Sequence, residues 1–571
     1  MAAMPGYTFS LREGALIPVL NTTVTDSLLI IGTALDGPSN TPVTLHDLTN
    51  AISTFGPMVF RDEYRNPDTG AADGTRAGND LVEAIERVLA AGCNNVIAVR
   101  VPGVLATANV STTGTPAQNV LQLQGLFDGN VYNGIVLTLT SGAPNHSWQL
   151  QQPAQRGGTI SGTLPAAATL RDLVNAVNNH PNNGSARLVV HPSQNNPASV
   201  LAQPLTEVLG TSARTFTTSG GLNGTRPQRF NAANGYKSIL DLLTDSSTGT
   251  FTLISESEAD VVYLSCLYAD DRVDASADRS VIIPFAEFIH TMSSQRAAHG
   301  VLDARPYVAP NLTSAASYYQ SAYLDNTSGV ADAATGRIKI GFFLANHPSM
   351  VRDQGGGKVD YGRYLSIVIG MPCRFRSWQL GEYVESAGAS YAGMMTTMSP
   401  AEITAFRTPR GVLDVVGSRI PRSTMEALMA GVPLSSGGNG GSYVVMRPPM
   451  VPGAAPVVAN DLTAAQSTSV FHYQSNVRIA NAASKYLRMA LIPFLGRPNT
   501  QETLTAMATA VRGVLNRLAE IGALLGGEGI GYRFSLEPTA SGLQTVEVRC
   551  VAELRPANFI RAITVDLTVT L

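Results

Sequence analysis

The sequence predicts a multidomain protein of mixed α/β and α+β class: a discontinuous α/β core, an inserted mostly-β domain and an α+β C-terminal domain. Three observations carry this. Apolar strands alternate with amphipathic helices over residues 27–101, and the pattern resumes after about residue 260. Between 103 and 228 the composition shifts to Thr, Ser, Asn, Gly and Gln. The last hundred residues hold two apolar helical stripes followed by alternating strands. At 571 residues the chain exceeds a single hydrophobic core, and the usual domain size calls for about three or four domains.

In chain order, SLLIIGTA (27–34) is a buried strand, followed by the loop DGPSNTP and a short strand and helix closing on Phe55-Gly56. A helix follows. Asp80 suits its N-cap, with Glu83 three residues on; Leu81, Ile85, Val88 and Leu89 share a face, and Gly92 suits the C-cap. The strand NVIAVRV comes next. The 103–228 segment shows short alternating runs (NVLQLQG, NGIVLTLT) and one helix near LRDLVNAVNNH. The core then resumes with a strand at VVYLSC, a helix over IIPFAEFIHTMSSQRAA, a strand at VLDA, a helix around SAASYYQSAYL and an alternating strand RIKIGFFL. Residues 430–465, rich in Gly, Pro, Ser and Ala, read as a loop region or linker.

Toward the C-terminus, helices are expected near 476–491 and over 500–525, the second capped by Asn499 with Glu502 and striped by Leu504, Met507, Val511, Val514, Leu518 and Ile521. Strands are expected around 532–537, 543–554 and 562–571. The last alternates Ile563, Val565, Leu567, Val569 and Leu571 with Thr564, Asp566, Thr568 and Thr570. Such a strand either pairs within its own sheet or offers its unpaired backbone and apolar face to a neighbour. PGYTFSL (5–11) poses the same choice at the other end.

Composition excludes several functions. Lys+Arg 39 against Asp+Glu 42 gives a net charge of -3, so no basic field exists to hold nucleic acid. Charged residues are only 14% of the chain, against about 25% in an ordinary soluble domain, which suits a surface hidden against partners. No signal-like start and no membrane-length apolar run is present, so synthesis in a reducing cytoplasm is expected, with no membrane partner. Cys93, Cys266, Cys373 and Cys550 form no CxxC pair. Cys266 and Cys550 read as small buried hydrophobes, whereas Cys93 and Cys373 could be exposed.

No catalytic, cofactor or metal residue is nominated. DQGGGKVD (353–360) fails as a phosphate loop, with Arg352 in place of the first Gly, Val359 in place of Ser/Thr and no strand leading in. GGNGG (437–441) lacks the βαβ setting of a dinucleotide fingerprint. The eight histidines are scattered singly, and Asp270, Asp271, Asp274 and Asp278 lack the Gly and Glu of a calcium loop, reading as a solvated turn. No GxSxG elbow occurs. The chain is therefore not expected to be an enzyme.

With these elements in order, PGYTFSLREGALIP and LLIIGTALDGPSNTPVTLHDLTNAISTFG together resemble the N-terminal region of the contractile tail sheath proteins of myophages and R-type tailocins. Gly32, Ala34, Gly37, Pro38, Asn40, Pro42, Val43, Phe55 and Gly56 match the family's GxAxxGPxNxPV…FG pattern; Ala51-Ile52 stand where an aromatic is often found. The likeness continues through LVEAIERVLAAGCNNVIAVRV, GGLNG with YKSILDLL, AAHGVLDAR, YAGMM and the C-terminal run from GRPNTQETL to VDLTVTL, over about two-thirds of the chain.

The resemblance implies a structural subunit that polymerises as stacked hexameric rings around a tail tube and contracts to drive the tube through a host envelope for genome ejection. It implies a virion location after assembly in the host cytoplasm, and partners in self, tube, baseplate and tail terminator proteins. The C-terminal sheet would be completed by arms of neighbouring subunits, with Pro5, Gly6, Tyr7 and Phe9 in one arm and Ile563, Val565, Leu567, Val569 and Leu571 in the other. The expected domains are an N-terminal arm (1–22), the core (23–102 and 229–465), an outer insertion (103–228) and an inner C-terminal domain (466–571) ending in an exchangeable strand (562–571). Two alternatives stand beside it: an α/β hydrolase-type enzyme with a carbohydrate-binding insertion, and another virion component such as a baseplate protein.

Overall fold

The computed structural model describes residues 26–58 and 80–557 apart from internal stretches, the longest being 221–242, 244–253, 272–279, 327–338 and 433–440. Strand β1 (Leu28–Gly32) is buried along its whole length, as an uninterrupted apolar run requires when both sheet faces are covered. Strand β2 (Val43–Leu45) precedes helix Leu48–Phe55, whose N-cap Asp47 accepts the Asn50 N–H at 2.7 Å. Helix Asp80–Ala90 buries Leu81, Ile85 and Val88. The Asp80 carboxylate accepts from Thr33 Oγ1 at 2.8 Å, tying the helix start to the loop after β1. Gly92 ends that helix at φ 102, its N–H on Leu89 O. Strand β3 (Val96–Arg100) then runs parallel to β1.

The following segment builds two small sheets. Strands β4 (Leu105–Ser111), β5 (Asn119–Asp128), β6 (Val136–Thr140), β7 (Asn145–Gln151) and β8 (Thr159–Pro165) lead to helix Leu170–Asn178, then β9 (Ala186–Val190) and β10 (Arg214–Thr217). Their orders are β4-β5-β9 and β10-β6-β7-β8. Alternation governs burial: on β7, His146, Trp148 and Leu150 point inward while Asn145, Ser147, Gln149 and Gln151 face out. These strands share a hydrophobic cluster of their own, including Leu121, Leu137, Trp148, Leu173 and Leu188. The helix opens on a capping box between Thr169 and Asp172.

The main sheet then resumes. Strand β11 (Val261–Tyr268) pairs with the other side of β1, from Leu28↔Val261 to Ile31↔Leu264. Helix Ile282–Gln295 leads to β12 (His299–Asp303). Helix Leu312–Tyr319 runs on into a π turn, Gln320–Leu324. Past a hairpin of β13 (Val351–Asp353) and β14 (Lys358–Asp360) comes β15 (Leu365–Gly370). Strands β16 (Cys373–Ser377), β17 (Gly381–Glu385) and β18 (Val412–Val415) form a side sheet, and β19 (Val444–Arg447) and β20 (Val457–Val458) finish the main one.

The main sheet order is β2-β3-β1-β11-β12-β15-β19-β20, with β3 through β19 parallel and the edge strands β2 and β20 antiparallel. Helices cover both faces. Leu29, Ile31, Val262 and Leu302 meet Phe285 and Ile289 on one side; Leu28, Ile30, Val96 and Val301 meet Leu81, Ile85 and Tyr391 on the other. The second side is tight: a Cβ on Gly393 of helix Gly388–Thr397 would stand 2.8 Å from Ala91 Cβ.

The C-terminal elements are helices Gln474–Leu491 and Gln501–Glu520 and an antiparallel hairpin of β21 (Tyr532–Ser541) and β22 (Thr545–Leu554). Val477, Ile479, Leu487, Val514 and Leu518 form their cluster with Tyr532 and Leu554.

Several expectations are corrected. RIKIGFFL holds a helix, Ile340–Asn346: Ile340 and Leu344, four apart, are buried together, and Gly341 lies against the Tyr323 carbonyl, where a Cβ would come within 2.5 Å. The expected linker supplies β19, whose Val444, Val445 and Met446 are buried. The second C-terminal helix is capped by Thr500 with Thr503, one residue beyond Asn499, because Thr500 holds the extended backbone of a cap. A strand does lead into DQGGGKVD, but its continuation is an antiparallel strand, and the short 3-10 turn that follows, Tyr361–Tyr364, is already capped by Asp360. Asp270 and Asp271 are buried and ion-paired to Arg305, which lies over the Tyr268 ring at 4.5 Å; Asp274 and Asp278 lie outside the described residues. Cys93 and Cys373 are buried, Cys550 is half-buried, and the Cys266 side chain is not among those described.

Candidate functional site

The motif residues after β1 build a loop and aim nothing outward. Fully buried Arg100 donates Nε to Ala34 O at 3.1 Å and Nη1 to Gly37 O at 2.9 Å, and its own carbonyl accepts the Asn40 N–H at 3.0 Å. A Cβ on Gly32 would stand 1.9 Å from Ser265 Oγ; Gly37, at φ 89, has the Thr54 carbonyl 2.5 Å from where its Cβ would be. Asn40 takes φ 56, a left-handed conformation that Asn tolerates. Phe55 is fully buried beneath Gly37, Gly56 caps its helix at φ 87, and Pro38 and Pro42 are half-buried.

In an open α/β sheet, ligands bind beyond the carboxyl ends of strands, where strand order reverses. Here β3 and β11 flank β1, so the reversal lies at β1 and β11. That end is filled by the chain itself. Asp303, closing β12, accepts from Tyr263 Oη at 2.5 Å and from Gly388 N at 2.9 Å. Its carboxylate thus occupies the helix N-terminus that would otherwise suit a phosphate. Burial pushes it up to about 6, against hydrogen bonds from Tyr263 and Ser386. Around it, Arg87 donates to Ser386 O at 2.9 Å and Tyr268 Oη to Glu385 at 3.2 Å.

The C-terminal unit presents a different surface. β21 and β22 run ten residues each, and among the described residues no third strand pairs with either. A two-stranded ribbon of that length is marginal unless further strands or helices cover it. Past β22 the chain runs back beside the turn at Ala523, the Ala557 N–H on Ala523 O at 2.9 Å. The arm residues Pro5, Gly6, Tyr7, Phe9, Ile563, Val565, Leu567, Val569 and Leu571 lie outside the described residues, and the structure does not bring them to the hairpin. At the turn between the two helices, Met489, Ile492 and Leu495 are 50%, 49% and 56% exposed. Leu504 and Met507, at the start of the second helix, are only half-buried. The two helices therefore end in an apolar tip.

A polar junction joins this unit to the core at the opposite, amino-terminal end of the parallel strands. Lys485 Nζ lies 3.2 Å from Asp26 Oδ1, just before β1, and 2.8 Å from Asp260 Oδ2, just before β11. Asp260 also accepts the Ser27 N–H at 2.9 Å. Arg478, on the same helix, is spent on three carbonyls, of Met398, Ser399 and Glu402. With His299 and Asn481 these groups line a small, partly open pocket that has room for water. His299 Nε2 bonds Ser366 Oγ at 2.8 Å while its Nδ1 has no hydrogen-bond partner. Burial holds His299 down at about 3, so it stays neutral. Burial, then the Asp260 charge, raise Asp26 to about 6 against the pull of Lys485. No motif announces this junction; its three charges are each 225 or more residues apart along the chain.

Among the described residues no cluster of His, Cys, Asp or Glu could hold a metal ion, and no helix is long and apolar enough to cross a membrane.

The architecture defined by the interrupted parallel sheet and its C-terminal helix pair and hairpin is the fold of a sheath tail protein. The chain superposes on the sheath tail protein Lin1278 of Listeria innocua with a TM-score of 0.50 at 11% identity, over 93% of this chain and 96% of that one. Also similar are the sheath tail protein DSY3957 of Desulfitobacterium hafniense (TM-score 0.49, 9% identity, 96% and 100% covered) and the contracted helical sheath of the anti-feeding prophage (0.44, 12%, 100% and 99%). At such identities the likeness is one of fold, and it agrees with the resemblance carried by the ordered motifs. No family model matches the chain, and no curated protein sequence matches it.

Proposed function

We propose that the chain is the structural subunit of a bacteriophage contractile tail sheath, assembling as stacked hexameric rings around a tail tube and contracting to drive that tube through a host envelope. The observation that carries this is the near full-length likeness of fold to a sheath tail protein, joined to a C-terminal hairpin with long strands that could take further strands. Residues 5–10 and 562–571 act as the donated arms, adding backbone hydrogen bonds to the hairpin of a neighbouring copy. The C-terminal unit faces the tube, the 103–228 insertion decorates the outside, and baseplate and terminator proteins close the ends. Asp303 in the helix N-terminus and the sealed carboxyl end of the sheet weigh against the hydrolase alternative.

Electron microscopy of the purified protein, with and without residues 562–571, tests the reading. Sleeves or rings that vanish on truncation are expected; a monodisperse monomer indifferent to the cut overturns it.

A further inference from the structure

The junction at Lys485 is more than a surface ion pair. Two carboxylates, Asp26 and Asp260, share a single ammonium group, and the nearby guanidinium of Arg478 is already engaged by three carbonyls. One acid is therefore in excess in a partly open pocket whose lining includes the apolar Val261, Met395, Pro400 and Ala482, and its ionisation opposes the packing around it. The three residues also belong to three different parts of the chain. Asp26 lies just before β1; Asp260 leads into β11; Lys485 sits on helix Gln474–Leu491 of the C-terminal unit.

We propose that Asp26, Asp260 and Lys485 form a proton-responsive joint that ties the C-terminal unit to the α/β core at the root of the N-terminal segment, with Asp26 as the positioning residue that titrates. That the root is the base of an exchanged arm rests on the sheath reading; the joint itself does not.

The sign follows from the groups that face Asp26. Lys485 and Arg478 on the helix favour its charged form; Asp260 and burial oppose it and prevail, while Cys93, from the turn before β3, faces it as a neutral thiol. Its affinity for a proton is thus higher in the closed joint than in an open, solvated one. The joint is tightest below the ordinary carboxylate range and loosens as pH rises through about 6. His299, across the cavity, works the other way. It is neutral when closed and gains a proton when exposed, so acid favours opening. The two opposing titrations must be separated by substitution.

Hydrogen–deuterium exchange of the full free chain, corrected for intrinsic rate, reads opening of the Gln474–Leu491 helix between pH 5 and pH 8. The ratio of opening in the unsubstituted protein to that in Asp26→Asn is expected to rise with pH. Because the Asp26 side chain is 32% exposed, solvent screening limits the expected change to about tenfold. A ratio that does not change with pH overturns the proposal. His299→Gln, which removes the opposing titration and leaves Asp26 in place, should show opening that grows with pH; a flat or falling profile overturns it equally. Exchange in the free chain does not depend on polymerisation, so absence of sleeves would count against the sheath reading alone.

Discussion

Asp303 reaches the backbone N–H of Gly388 at 2.9 Å only because Gly388 has no side chain: a Cβ there would lie 2.1 Å from the carboxylate oxygen. A single hydrogen atom at this position decides whether β12 and helix Gly388–Thr397 can close over the end of the sheet. Gly388→Ala should therefore displace the carboxylate and cost about 1–3 kcal/mol, seen as a lower denaturant midpoint, whereas Ala at Gly513, where a Cβ meets nothing within 4 Å, should not lower it.

The loop after β1 depends on Arg100. Arg100→Met keeps the stem but leaves the Ala34 and Gly37 carbonyls without their donor. A loss of about 2–4 kcal/mol is expected. Urea unfolding measures it, and an unchanged midpoint would show that water substitutes freely for the guanidinium.

His299 sets an acid limit. Burial holds it at about 3 in the folded chain, below the ordinary imidazole value of 6.5, so its contribution is complete above 6.5 and is lost as pH falls from there toward 3. The stability of the unsubstituted protein should carry a component falling by up to about 1.4 kcal/mol per pH unit in that window. His299→Gln should remove that component, and the difference between their pH profiles is the measurement.

Ile492 and Leu495 belong to the apolar tip. Paired substitution to Glu should change the stability of the free chain by no more than about 0.5 kcal/mol while reducing sleeve formation in electron micrographs. Sleeves of normal length and number would remove the tip from the assembly surface.

The parts legible in the sequence are those whose local pattern and tertiary setting agree. SLLIIGTA and VVYLSC read as buried strands because every residue is apolar or small, and helix Asp80–Ala90 reads from its stripe. The helix Ile340–Asn346 was hidden by β-prone Ile and Phe residues, and only burial of Ile340 with Leu344 and the close approach at Gly341 reveals its period. β19 is four residues long within Gly- and Pro-rich sequence, and its place in the sheet comes from β15 beside it. Asp270 and Asp271 looked solvated because their partner Arg305 lies more than thirty residues away. Long-range pairing is also why Lys485 gave no signal. The motif residues around Gly37 were visible as a set, but their task of seating Arg100 was not.

The flanking of β1 by β3 on one side and β11 on the other has a temporal side. Leu28 is synthesised early, yet its partner Val261 follows more than 230 residues later, a delay of roughly ten to fifty seconds at ordinary ribosomal speed. Through that interval β1 has only β3 beside it, and its second edge stands open. The intervening strands have their own cluster around Trp148 and Leu188 and can collapse as they emerge. On the ribosome, the strand that seals the open edge of β1 emerges only after the whole inserted segment.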